Sequence, residues 1–233
     1  MSASHSKIKA VLSNIYMVSA SNHVEFEGNH LQHSRNMVIL REGRDLTLIN
    51  SVKLSDAGLA ELEQLGEIKH VIRIGSFHGK DDHFYINRYQ AKLWALQGMK
   101  DENGTPVDVS LDESTSLPIQ NSSLFIFKNT NFPEACIHIN SEGGILISCD
   151  SIKNWQLPDP YFSDATAKLY EQQGMFGQAS ISDIWLQAMG VTTDAFGELI
   201  SLEFKHLLSA HGQPLLNNAK VKLQDTLEKQ SFT

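Results

Sequence analysis

The chain has 233 residues, 41% of them hydrophobic and 20% charged, so it is long enough to bury a sizeable core. Its formal net charge of -8, from 27 acidic and 19 basic residues, repels phosphate backbones and argues against nucleic-acid binding. No apolar stretch reaches the ~18 residues that span a bilayer, and residues 1–10 lack the apolar core of a signal peptide. We therefore predict a cytoplasmic protein that binds neither nucleic acid nor membrane.

Short runs rich in Val, Ile and Leu, bounded by turn-forming residues, predict β-strands along the first two thirds of the chain. They cover residues 15–20, 37–41, 46–50, 70–75, 123–127, 135–139 and 145–149. Between the third and fourth runs, Ser55 as N-cap, the apolar positions Leu59 and Leu62, and Gly66 at the end predict a helix. A strand–helix–strand unit of this kind indicates a parallel crossover.

The pattern changes after Asp150. Helical spacing is found at residues 164–173, 181–189, 195–208 and 219–230, whereas the polar residues 101–118 predict a surface loop. Because there is no linker or repeat, we predict a single α/β domain over residues 1–233.

Four candidate metal ligands, Asp82, His83, Asp150 and His211, each follow an apolar element. Side chains at strand ends can converge on one rim of a sheet, and imidazole with carboxylate suits zinc, iron or manganese. The alternative is a set of polar loops in which these residues cap turns. The other histidines have simpler interpretations: residues His5, His23, His30 and His33 are predicted at the surface and His206 in a helix.

Three segments carry a resemblance to a known family. Residues 78–83 read His-Gly-Lys-Asp-Asp-His and match the motif H-x-H-x-D-H at three positions. Residues 143–150 resemble the strand that delivers a bridging Asp, and residues 209–215 resemble a closing His-Gly segment. In order and spacing the chain resembles the metallo-β-lactamase superfamily over nearly its whole length. The resemblance implies an αββα four-layer sandwich, in which two mixed sheets lie face to face under outer helices.

The departures from the family pattern concern the ligands. Lys80 replaces the second His of the motif, residues 128–134 lack the family's lone His, and Asn50 and Cys149 replace a usual Asp and Gly. By resemblance, the first metal position keeps only His78. The second keeps its full set of ligands, Asp82, His83, Asp150 and His211. At most one divalent ion (zinc, iron or manganese) is therefore expected, and none is an alternative.

Lys80 has three interpretations: a cation beside a single metal, a cation that pairs with Asp82 and Asp150 in a metal-free cluster, or a lysine in solvent. The resemblance implies a metal-dependent hydrolase that acts on a small molecule, with Asp82 orienting water and Lys80 holding a substrate anion. The alternative is a non-catalytic, metal-free binding or interaction module. The sequence identifies neither the substrate nor the oligomeric state.

The two cysteines, Cys136 and Cys149, are too few for a disulfide framework. We predict that both are reduced and lie on neighbouring strands. A two-residue turn at Glu142-Gly143 would pair them across the ladder, and a turn at Gly143-Gly144 would offset them.

Overall fold

The computed structural model describes residues 4–26, 28–99 and 104–231. Residues 1–3 of the polar N-terminal segment and residues 101–103 of the predicted loop lie outside this part. Within it, eleven strands form two sheets.

The larger sheet has seven strands in chain order. They are β1 (Lys9–Leu12), β2 (Ile15–Phe26), β3 (Asn29–Glu42), β4 (Asp45–Ile49), β5 (Glu67–Arg73), β6 (Lys92–Leu96) and β7 (Val109–Leu111). The first four strands pair as antiparallel neighbours, and β4 to β7 are parallel. The helix α1 (Asp56–Leu65) provides the predicted crossover between β4 and β5, and the Ser55 hydroxyl accepts the Gly58 N–H at its N-terminus.

The smaller sheet has the order β11-β10-β9-β8. Its strands are β8 (Ser122–Ile126), β9 (Ala135–Ile139), β10 (Ile145–Ser148) and β11 (His206–Ser209). The first three are antiparallel, and β11 runs parallel to β10. The remaining helices are α2 (Asp82–Tyr89), α3 (Asp164–Gln172), α4 (Asp183–Met189), α5 (Gly197–Ile200) and α6 (Ala219–Ser231), with a 3₁₀ turn at Thr193–Phe196.

Three apolar clusters define four layers. One fills the space between the two sheets, with Val38, Ile72 and Ile147 among its members. A second packs α1 and α2 onto the outer face of the larger sheet. A third packs α4, α5 and α6 onto the outer face of the smaller sheet. The predicted αββα sandwich is confirmed.

Several elements differ from the sequence-based expectations. Residues 195–208 were predicted as one helix but form a 3₁₀ turn, the short α5 and the strand β11, so His206 is a strand residue. The strand forms because its backbone pairs with β10 over four residues, which local periodicity does not record. The strands β1, β6 and β7 and the helix α2 were not predicted, and β7 lies within the predicted loop.

Both cysteines are unpaired, as predicted, and both are buried. Glu142 and Gly143 occupy the turn with φ of 55° and 87°, but the ladder pairs Ile139 with Ile145. In this register Cys136 and Cys149 are offset and do not lie opposite each other. Cys136 packs with the outer cluster and Cys149 with the cluster between the sheets.

Among the described residues, no helix combines the length and apolarity needed to cross a membrane.

Candidate metal centre

Three side chains from distant parts of the chain meet at one edge of the sandwich. Potential ligand atoms of His78, Asp150 and His211 all lie within 4.8 Å of one another. Nε2 of His211 is 2.9 Å from Oδ1 of Asp150, and Nε2 of His78 is 3.4 Å from Oδ2. The two Nε2 atoms are 3.2 Å apart. Two imidazoles and one carboxylate that face a common point form a typical three-ligand set for a divalent transition metal.

His211 is held by its own backbone. It follows β11, and its N–H donates to the Ser209 hydroxyl at 3.0 Å. The Asn36 amide of β3 donates to the carbonyls of Ser209 and Gly212 at 2.9 and 2.6 Å, on either side of His211. The Asn154 N–H donates to the His211 carbonyl at 2.8 Å. Four backbone contacts therefore determine where this imidazole lies before any ligand is considered.

The hydrogen bonds of His211 identify its tautomer. Its Nδ1 lies 3.2 Å from the Ser34 carbonyl, which can only accept, so Nδ1 carries the hydrogen. Burial lowers the pKa of His211 to about 4, and its hydrogen bond with Asp150 opposes that shift. Nε2 of His211 faces a carboxylate oxygen of Asp150 at 2.9 Å. A contact of this kind is satisfied either by a hydrogen on Nε2 or by a metal ion that both atoms bind.

Asp150 directly follows Cys149, just beyond the end of β10, and its side chain is 14% exposed. Burial alone would raise its pKa, but His78 and His211 hold the pKa well below the usual range. The Lys153 ammonium donates to the Asp150 carbonyl at 2.8 Å. Asp150 is therefore charged at neutral pH and has a fixed backbone.

Glu134 is a buried carboxylate that the sequence analysis missed. It lies directly before β9, the place where the family's lone His was sought. Its two oxygens accept the Ser151 N–H at 2.6 Å and the Trp185 indole N–H at 3.0 Å. Burial and the nearby charge of Asp150 raise its pKa. Glu134 thus anchors the backbone beside Asp150 and is not a member of the three-residue group.

Asp82 and His83 do not join the three-residue group, although both were predicted as ligands. Asp82 begins α2 and accepts the Ser51 hydroxyl at 2.7 Å, while Nε of Arg73 lies 3.4 Å from its other oxygen. Burial raises the pKa of Asp82 to about 6, against the opposing effects of Ser51 and Arg73. His83 is the second residue of α2 and is half-buried.

Lys80 is exposed, and its ammonium donates to the side-chain oxygen of Asn22 on β2. The cation that pairs with Asp82 is Arg73. The sequence feature that could have indicated this pair is a charged residue inside an otherwise apolar run.

His33 was predicted at the surface but is buried behind His211. Its ring centroid lies 5.6 Å from that of His211, 5.3 Å from Trp155 and 5.8 Å from Tyr170. Burial, followed by the neighbouring His211, lowers the pKa of His33 from 6.5 to about 3. The polar sequence around it was misleading because α3 packs against β3 at this point, where the Gln32 N–H donates to the Thr166 hydroxyl at 2.9 Å.

The buried imidazole of His33 gives a pH-dependence prediction. Between about pH 6.5 and pH 3 the unfolded chain protonates His33 and the folded protein does not, so acidification removes stability. In His33→Phe, the loss in unfolding free energy from about pH 7 to pH 5 should be smaller by about 2 kcal/mol. Urea titrations with a chelator present test this. His30→Phe, at an exposed site, is the control and should retain the wild-type pH dependence. If His33→Phe lost as much unfolding free energy on acidification as the wild type, the prediction would be contradicted.

Comparisons with known proteins identify the fold. No protein-family profile matches the sequence, and no curated protein sequence matches it significantly. Among solved structures, the metallo-β-lactamase FIM-1 from Pseudomonas aeruginosa is 15% identical, with a TM-score of 0.61 over 97% of this chain and 96% of its own. A metallo-β-lactamase from Pontibacter korlensis is 12% identical, with a TM-score of 0.61 over 96% of this chain and 99% of its own. One from Hirschia baltica is 12% identical, with a TM-score of 0.60 over 95% and 96%.

The chain therefore has the metallo-β-lactamase fold, as the motif order predicted. At this identity the comparison establishes the fold, and the function has to be argued from the site.

Proposed function

We propose that the chain is a metal-dependent hydrolase-like protein that holds one divalent ion, with zinc as the first candidate, between His78, Asp150 and His211. The observation that carries the proposal is the convergence of the three side chains, whose potential ligand atoms all lie within 4.8 Å of one another. Iron and manganese are compatible with the same donors. A structural relative, FIM-1, has been crystallised in a mono-zinc form, which supports the single-ion stoichiometry.

The orientation of His78 is compatible with this proposal. Its Nε2 faces Asp150 and His211, so this is the ring nitrogen that is placed to bind an ion, while its buried Nδ1 has no hydrogen-bond partner among the described residues. When bound, a three-ligand ion with an open position lowers the pKa of water toward neutrality and polarises a carbonyl or phosphoryl oxygen.

The protein residues around the ligands have separate roles. Asp150 contributes the charge, and its backbone is fixed through Lys153 and through Glu134. Trp155 covers His211 at a ring separation of 4.4 Å and excludes water from that side. We infer hydrolysis of an ester, thioester, amide or phosphoester of a small molecule, since these are the bonds that such a site can polarise.

Zinc titration of the chelator-treated protein tests the proposal. We expect one equivalent to bind, with loss of binding in His78→Ala and His211→Ala. His138→Ala is the matched control, because His138 lies in β9, outside the three-residue group, and its Nε2 is 2.8 Å from the Glu203 carbonyl. Hydrolysis of a panel of aryl esters, thioesters and phosphodiesters should require the added zinc. No bound zinc, or two tightly bound ions per chain, would contradict the proposal.

A further inference from the structure

Four charged side chains, two of them from the segment 78–83, lie together outside the three-residue group. Arg35, Arg73 and Asp82 are each 3% exposed, and Asp81 is largely covered. Arg35 forms an ion pair with Asp81, and Arg73 forms one with Asp82. Two positive and two negative charges balance, so this cluster is neutral without any bound ion.

Arg73 packs against the segment that carries the metal motif. It is the last residue of β5, and its side chain packs against Gly79, where φ is +133°. A Cβ added to Gly79 would lie 2.5 Å from both Cδ and Nη1 of Arg73. The absence of a side chain at Gly79 therefore makes room for the guanidinium beside the motif.

Asp82 depends on this neighbour. A buried carboxylate that lacks a cation is strongly destabilising, because removing it from water is not compensated. In a binuclear site a metal ion would provide that compensation, whereas here Ser51 and Arg73 contact the two oxygens. A divalent ion placed at Asp82 would meet the guanidinium at close range and be repelled.

We propose that Arg73 is a fixed cation that takes the place of a second metal ion at Asp82 and limits the centre to one ion. This inference rests on the proposed function for the first ion, but it concerns different residues and can fail separately. It also explains why Asp82 persists in the motif although it is not in the three-residue group. Asp82 is a partner of Arg73 here.

The test removes the guanidinium and counts ions. Arg73→Met introduces a side chain of similar length without the charge. In the presence of a chelator, we expect this variant to have a lower thermal unfolding midpoint than the wild type. We also expect it to bind a second equivalent of zinc, with an affinity at least about tenfold weaker than that for the first. Zinc beyond one equivalent should raise the midpoint of Arg73→Met and leave that of the wild type unchanged. Arg73→Lys should remain a one-ion protein. The double variant Arg73→Met/Asp82→Asn should lose the second equivalent, and Arg88→Met, at an exposed arginine, should behave as wild type.

A second variant keeps the proposal testable if Arg73→Met does not fold. In an otherwise wild-type chain, Asp82→Asn should bind one zinc with an affinity within about threefold of wild type, because Asp82 pairs with Arg73 and is not a ligand. The role of Arg73 would be overturned if Asp82→Asn lost as much zinc affinity as a variant of a true ligand. It would also be overturned if Arg73→Met bound no second ion and its thermal midpoint were not raised by zinc. If the wild type binds no zinc, the proposed function fails, while rescue of Arg73→Met by zinc would still support the proposal.

Discussion

Asp150→Ala is expected to lower zinc affinity by about 100-fold or more, because it removes both a ligand and the only negative charge of the three-residue group. The remaining imidazoles of His78 and His211 are neutral donors and leave the ion's charge uncompensated. Calorimetric zinc titration after treatment with a chelator measures the effect. Asp150→Asn should be intermediate, since the amide keeps one oxygen donor but not the charge.

The matched control for this prediction is Asp183→Ala, which removes an exposed aspartate at the start of α4. Its zinc affinity should equal that of the wild type. An Asp150→Ala protein that binds zinc as tightly as the control would show that the ion, if any, is held elsewhere.

Gly212→Ala is expected to reduce the free energy of unfolding by about 3 kcal/mol or more. Gly212 has φ of +90°, and a Cβ there would lie 2.1 Å from the carbonyl carbon and oxygen of Asn154 and 2.4 Å from the Trp155 nitrogen. These are backbone atoms that cannot rotate away, and Asn154 also bonds the His211 carbonyl. The substitution should therefore weaken zinc binding as well as folding.

Gly43→Ala separates the backbone strain from the steric clash. Gly43 also has a positive φ, +62°, but no atom lies within 4 Å of an added Cβ. Only the conformational cost of about 1 kcal/mol should appear in urea denaturation. Equal losses in the two variants would show that the close approach of residues 154–155 and 212 is not what requires glycine.

The expectations at the site have two origins. Asp150 and His211 were proposed because each follows an apolar element that anchors it, and His78 was added by the family motif. The same argument suggested Asp82 and His83, but these begin a helix, α2, that was not predicted. A residue's place in a motif indicates the edge of the fold where it lies, but not whether a neighbour such as Arg73 already pairs with it.

By itself the sequence determined many of the local elements. Ser55 and Gly66 delimit α1, and alternating apolar runs define most strands, because capping and side-chain periodicity act over a few residues. Tertiary structure alone decided the rest. The strand β11 exists because β10 offers a backbone partner. Arg35, Arg73, Glu134 and His33 are buried because residues distant in sequence cover them. Burial and electrostatic pairing are properties of three-dimensional neighbours, so they determine which carboxylate faces the imidazoles and which faces a guanidinium.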